Sequence, residues 1–276
     1  MNIEQIFSDI EKQDPEVYNR VDTRRDSMRE FARIGGKIAL TALPLALGGI
    51  FKKAYGQTPD TVTHVLNFAL VLEHLESQFY NTGVSTPGLI KDASALQGYK
   101  IIQQHEKEHV DFLSATITAL GGIPQKSPVF DFTAGGTFPT VFSDYETFLA
   151  VSQTFEDTGV RAYKGQAPNL KMNDTVLTAA LQIHSVEARH ASYVRSLRSS
   201  YYNDEKIRPW ITGASTAGIG SSVAGNYAGE DNTVQLGINI VGIDGFNISV
   251  EDASEAFDEP LTTAQVLALI QPFIVS

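Results

Sequence analysis

The sequence contains no cysteine. That absence excludes disulfides, thiolate zinc sites and a cysteine nucleophile, and it leaves carboxylate, imidazole and carbonyl groups to hold any metal. It fits an oxidising or a reducing compartment equally. Basic side chains are also scarce: 21 Lys and Arg stand against 32 Asp and Glu, a formal charge of −11. Such a balance argues against a phosphate-binding surface, so nucleic acid is excluded and small molecules, cations or proteins are the expected partners. The apolar run "IALTALPLALGGIF", residues 38–51, is too short to span a bilayer, so no integral membrane span is expected in the mature chain. What is present is an ordinary globular composition, 276 residues at 42% hydrophobic, enough for one substantial core with an appended region or for two small domains.

The same apolar run suits the central region of a signal peptide, because Arg24, Arg25, Arg29, Arg33 and Lys37 precede it. Ala54 and Gly56 put small residues where a signal peptidase reads, which predicts cleavage after Gly56, and Gln57 rules out a lipoprotein site. "SMREFAR", Ser27 to Arg33, resembles a twin-arginine export signal with Met28 in place of the first arginine; "TRRDSMR", from Thr23, keeps both arginines and loses the phenylalanine. The competing reading is a cytoplasmic amphipathic helix retained in the mature protein. The expected organisation is a signal segment over 1–56, a helical bundle over 57–200 and a C-terminal extension over 201–276, with the product exported to the periplasm.

Four stretches of the bundle region carry apolar residues at steps of three and four, and each stripe has an acid at its centre. The first starts near Thr58 to Thr61, with Pro59 and Asp60 as start signals, and runs to about Asn81 before Gly83; its stripe is Val62, Leu66, Ala69, Glu73, Glu76, Tyr80. The second, Ala93 to Leu120, places Glu106 and His109 among Tyr99, Ile102, Leu113, Ile117 and Leu120, and ends at Gly121 and Gly122. The third opens on a capping-box pattern, Ser143 to Glu146, and reads Tyr145, Leu149, Ser152, Glu156, Gly159, Tyr163. The fourth, with Asn173 or Asp174 as N-cap, reads Val176, Ala180, Ile183, Glu187, His190, Val194, Leu197.

These stripes form an internal repeat of two helix pairs. Glu73 and Glu156 are each followed seven residues later by a tyrosine, Tyr80 and Tyr163, and each pair continues into a helix bearing Glu-x-x-His. The spacing between acids agrees: 33 residues from Glu73 to Glu106 and 31 from Glu156 to Glu187. The links within each pair are short and suit antiparallel hairpins, whereas "GGIPQKSPVFDFTAGGTFPTVF" between the pairs is long enough to cross the bundle. Buried carboxylates need compensation. Lys107, Lys164, Arg161 and Arg189 lie off the stripes, which makes metal a better counterion than buried salt bridges.

A glutamate from each of two helices and Glu-x-x-His from each of two others is the ligand pattern of ferritin-like di-metal carboxylate proteins, which residues 58–200 resemble closely. More narrowly, "LNFALVLEHLESQFY", "HEKEHVDFL", "FEDTGVRAY" and "AFDEPLT" resemble the bacterial ferritin-like domain family related to plant desiccation-related proteins. The resemblance implies an all-α, ferritin-like four-helix bundle with one long crossover. It implies two iron ions, or alternatively manganese, held by Glu73, Glu106, His109, Glu156, Glu187 and His190, with Glu106 and Glu187 as bridges. Glu76 competes with Glu73 on the same stripe, and Glu73 is preferred because its tyrosine spacing matches that of Glu156. His64, His74, His105 and His184 read as hydrogen-bonded or surface histidines. Tyr80 and Tyr163 either bond the ligating carboxylates, relay electrons, or simply pack.

Beyond Tyr202 the sequence turns rich in Gly, Ser and Asn with alternations that suit extended segments, and a short helix over Leu261 to Gln271, with Thr262 and Gln265 as a capping box, closes the chain. This extension either lies against the bundle, pairs subunits in a homo- or hetero-oligomer, or covers the route to the metals. The leading expectation is a redox protein that oxidises Fe(II) or handles oxygen or peroxide for stress protection. A di-manganese catalase and a non-catalytic envelope interaction module with a vestigial site are the alternatives. On the export reading, N-terminal sequencing of the mature protein should begin at Gln57; a sequence beginning at Met1 or Asn2 would remove the cleavage claim.

Overall fold

The computed structural model describes residues 59–275, which fall within one compact unit spanning Phe51–Ser276. The expected signal segment, 1–56, lies outside the described residues. Four long helices dominate: α1 Pro59–Ser85, α2 Ala93–Ala119, α3 Tyr145–Leu170 and α4 Asp174–Tyr202. The principal packing pairs are α1 with α2 and α3 with α4, and the two pairs meet chiefly through α1 and α3. Cross-links show each neighbour running antiparallel. On α1 and α2, Asn81 accepts from Gln103 while Asn67, two turns or more earlier, reaches Ile123 beyond the end of α2. On α3 and α4, Asp157 meets Arg195 and Gln153 meets Arg198. The link between the pairs runs back along α1, where Asn67, His74 and Gln78 bond Gln125 and Ser127 in order. This is the long crossover, which runs in the direction of α1 and brings the start of α3 to the end where α1 finishes, with Phe148 beside Gly83.

The helix ends follow local chemistry, with two departures from the sequence expectations. The N-cap of α3 is Asp144, whose carboxylate accepts from the Thr147 N–H, and not Ser143. Asn173 caps α4 in the same way through the Val176 N–H. α1 does not stop before Gly83 but continues to Ser85. Gly83 is there for space and not for termination: a Cβ at this position would overlap the buried Phe148 ring, so glycine lets α3 approach α1 closely.

Two apolar clusters fill the bundle. One gathers Val62, Leu66, Leu70, Leu113, Ile117, Leu170, Val176 and Ile183. The other is aromatic, built around Phe79, Tyr80, Tyr99, Phe148 and Phe155. On every helix the acids of the stripe fall between the residues of the two clusters, so a polar layer divides the core.

The extension after Tyr202 lies against the bundle. It is mostly turns and short 3-10 segments, contrary to the extended reading; the strands among the described residues are the two-residue β1 Val234–Gln235 and β2 Ile238–Asn239. A short helix that the sequence pattern did not reveal, α5 Val250–Glu255, precedes α6 Thr263–Ile270, whose capping box joins Thr262 and Gln265 as expected. Buried arginines of the bundle fasten the extension. Arg161 donates to the carbonyls of Asn226, Ala228 and Glu259 and pairs with Glu230 at 2.7 Å. Arg195 forks onto Asp157 and reaches the Trp210 carbonyl, and Arg198 reaches Ala217. At the chain's end Val275 donates to the Val129 carbonyl, pairing it with the crossover. Among the described residues no helix is long and apolar enough to cross a membrane.

Overpacking at the α1–α3 contact identifies the role of Gly83. Gly83→Ala is expected to cost about 1–3 kcal/mol in chemical or thermal denaturation because Phe148 must leave its rotamer; an unchanged or raised stability would return Gly83 to the role of helix terminator.

Candidate metal centre

Each of the four helices contributes its central acids to one buried layer. Glu73, Glu106, Glu156 and Glu187 are fully buried at 0% exposure, and His109 and His190 are nearly so. Their ligand-capable atoms form two groups, Glu73, Glu106, His109 and Glu187 in one and Glu106, Glu156, Glu187 and His190 in the other, with all atoms of a group within 4.8 Å of one another. All six residues named from the sequence are thus brought together, and Glu106 and Glu187 belong to both groups. The i, i+3 spacing of α2 and α4 puts each Glu and its His on one face, and the antiparallel packing of these helices sets the two motifs opposite each other.

Nδ1 of His109 stands 3.0 Å from Glu73 Oε2, 3.2 Å from Glu106 Oε2 and 3.3 Å from Glu187 Oε1. Nδ1 of His190 stands 2.8 Å from Glu106 Oε1 and 3.4 Å from Glu156 Oε2. None of these ion pairs involves Lys or Arg. Despite the closeness, Glu106 Oε1, Glu156 Oε2, both Glu187 oxygens and His190 Nδ1 have no hydrogen-bond partner. Buried polar atoms are rarely left so, and convergent orphans of carboxylate and imidazole type are what a cation would satisfy. The donor set fits a pair of divalent metal ions: four carboxylates neutralise the charge, two of them shared, and one imidazole serves each side.

Electrostatics states the same tension. Burial raises Glu73 from 4.5 to about 7 against the opposing pull of His109. Burial followed by the neighbouring carboxylates lifts Glu187 well above its ordinary value, and burial lifts Glu156. Glu106 is the exception: burial opposes its ionisation, but the two adjacent imidazoles, His109 and His190, hold it low. Burial works to lower both histidines, yet the surrounding carboxylates win, Glu73 foremost at His109 and Glu156 foremost at His190, which rises to about 11. Without metal, the layer balances its charge by retaining protons.

Several neighbours escaped the sequence pattern or were left open by it. Tyr80 of α1 donates to Glu156 of α3, and Tyr163 of α3 donates to Glu73 of α1, so each tyrosine of the repeat serves the acid of the other half. Only the packed structure joins residues so far apart in sequence. His105, which the sequence reads as a hydrogen-bonded or surface histidine, has its Nδ1 2.9 Å from His190 Nε2 with the rings stacked at 5.2 Å. It anchors the far nitrogen of His190 and leaves Nδ1 aimed at the carboxylates. Glu76 is a fifth buried carboxyl group, raised by burial and then by Glu187. Gly159 makes its position possible, since a Cβ there would stand 3.0 Å from Glu187 Oε2 and 3.3 Å from Glu76 Oε1. His64 is exposed, His74 lies 3.3 Å from the Gln125 carbonyl, and His184 is half-buried, all apart from the layer.

The proton retention has a sign. Between 4.5, the ordinary carboxyl value, and about 7 the folded chain holds the Glu73 proton that the unfolded chain has released, so stability falls as pH rises through that window. Glu76, Glu156 and Glu187 act in the same direction, and the histidines continue it above 6.5. Glu106, held low, completes its contribution by 4.5. The metal-free protein should therefore melt at a lower temperature near neutrality than near pH 5, with a smaller drop in Glu187→Gln, and a melting temperature that rose across the window in both would contradict this charge assignment.

The family model described as ferritin-like domain matches residues 61–200, just over half of the chain and all four long helices, with every residue of the polar layer inside the match. No curated protein matches the chain.

Proposed function

Because the chain belongs to the ferritin-like domain family, we propose that its polar layer holds two iron ions and oxidises Fe(II) with dioxygen or peroxide. The observation that carries the reading is the set of orphaned ligand atoms on Glu106, Glu156, Glu187 and His190, in two groups that share two carboxylates. Oxygen and imidazole donors without thiolate favour iron or manganese over a structural zinc site.

When bound, the pair of irons supplies electrons to the oxidant. The chain's own residues do the rest. Glu106 and Glu187, which belong to both groups, would be available to both ions, and Glu73 with His109 and Glu156 with His190 would each complete one group. Tyr80 and Tyr163 fix the outer carboxylates by donating to Oε1 of Glu156 and of Glu73, leaving Oε2 beside the histidine in each case, and His105 fixes His190. The two apolar clusters on either side exclude bulk water and strengthen every charge interaction between them. The export-type N-terminal pattern supports placing this chemistry in the periplasm, where removal of reactive iron and peroxide would serve stress protection.

Elemental analysis of protein purified from its native host should give about two irons per chain, lost in Glu106→Ala/Glu187→Ala, and Fe(II) added to metal-free protein should be oxidised faster than in buffer. Two manganese ions with peroxide disproportionation would replace the reading with a catalase. Folded native protein without metal would replace it with a non-catalytic module.

A further inference from the structure

The core distinguishes sharply between its aromatic types. Phenylalanine fills much of the aromatic cluster, at Phe79, Phe132, Phe142, Phe148 and Phe155, so a ring alone does not require a hydroxyl there. Tyrosine nevertheless recurs along one file of rings, with Phe148 as its single phenylalanine step. Tyr80, bonded to Glu156, has its ring 5.8 Å from that of Tyr99. Tyr99 is fully buried, at a cost that phenylalanine would avoid, and its ring lies 6.4 Å from Tyr193. Between these inner rings and Tyr145 stands Phe148, whose ring lies 5.0 Å from that of Tyr99 and 6.4 Å from that of Tyr145. Tyr145 packs 5.7 Å from Tyr201, and Tyr201 5.1 Å from Tyr202. All these spacings are those of rings in contact. Tyr193 is half-buried, and Tyr201 and Tyr202 are exposed at 50% and 37%.

The two halves of the repeat part company here. Tyr163, the counterpart of Tyr80, bonds Glu73 but sits in the cluster of Val62, Leu66, Leu170 and Ile183, against which Phe112 packs, and among the described residues no second tyrosine belongs to that cluster. One half of the repeat has a file leading out and the other has a dead end. Even the helix backbone yields to the file: Gly98 of α2 lies against the Tyr193 phenol, where a Cβ would overlap the ring.

We propose that this tyrosine file is a one-electron route between the metal centre and the protein surface, a proposal that rests on the redox reading of the centre. Tyr80 gives one electron to the centre that peroxide has oxidised, and its phenolic proton passes to Glu156. An outer tyrosine then refills it. Tyr202, exposed at the surface, loses one electron inward and its proton to solvent water, while Tyr80 regains the electron and takes its proton back from Glu156. Tyr99, Tyr145 and Tyr201 end unchanged. A one-electron reductant of the phenol or ascorbate class restores Tyr202 with an electron and a proton. Two such electrons and two protons take one peroxide to two waters. The file accordingly lets a reductant that cannot enter the dry core reach the centre, and it sends stray oxidising equivalents outward.

The test uses the full-length iron-loaded protein, treated with hydrogen peroxide in the presence of a nitroso spin trap and mapped by peptide mass spectrometry, with oxidation of the centre followed optically. Trap adducts are expected on Tyr193, Tyr201 and Tyr202, absent from metal-free protein. In Tyr99→Phe, which keeps the ring and removes only the buried hydroxyl, those adducts should be lost while the centre is still oxidised. In Tyr163→Phe they should persist for each centre oxidised. Outer adducts that survive in Tyr99→Phe, or that never form although the centre is oxidised, overturn the route. Failure of peroxide to oxidise the centre at all overturns the redox reading as well, and the optical signal separates the two failures.

Discussion

Five carboxyl groups share one dry layer of this bundle, and their mutual repulsion is the constraint around which the rest is arranged. Glu73, Glu76, Glu106, Glu156 and Glu187 are each at most 3% exposed. Such a layer contributes nothing to folding by itself; it is tolerated because two histidines, two tyrosines and retained protons, or bound cations in their place, offset the charge. The apolar clusters above and below supply the burial that holds the helices together, which frees the middle of the bundle for chemistry.

The repeat gives this layer near two-fold balance. Each helix pair supplies an acid, a tyrosine and a Glu-x-x-His motif, and the tyrosines cross over so that neither half is complete alone. Balance ends one contact further out. His105 stacks on His190, and Tyr80 opens onto other tyrosines whereas Tyr163 meets aliphatic side chains. With the same residue types inside and unequal surroundings outside, the two groups of carboxylate and imidazole atoms are chemically distinct.

A different kind of charge holds the outside of α3 and α4. Arg161, Arg195 and Arg198 are buried beneath the extension and bonded to Glu230, Asp157, Gln153 and the carbonyls of the turns they reach. Here the guanidinium fork is suited to irregular chain, because one side chain can serve several carbonyls that no helix or strand satisfies. The turns of the extension therefore depend on the bundle for their order, and the bundle's buried arginines depend on the extension for their partners.

The sequence by itself determined the four helices, the long crossover, the capping box of α6 and the six residues that converge in the core. It could do so because helical period is a local property: an acid in the middle of an apolar stripe is visible without knowing what it meets, and the same pattern occurs twice. Only tertiary structure decided the partners. That Tyr80 answers Glu156, that His105 anchors His190, that Gly83 makes room for Phe148 and that Glu76 joins the layer through the gap at Gly159 all depend on which helices face each other and how closely. The extension, read from its sequence as extended segments, is instead mostly turns for a related reason. Its conformation is set by long-range bonds to buried arginines and not by any period of its own, so the local pattern held no record of it.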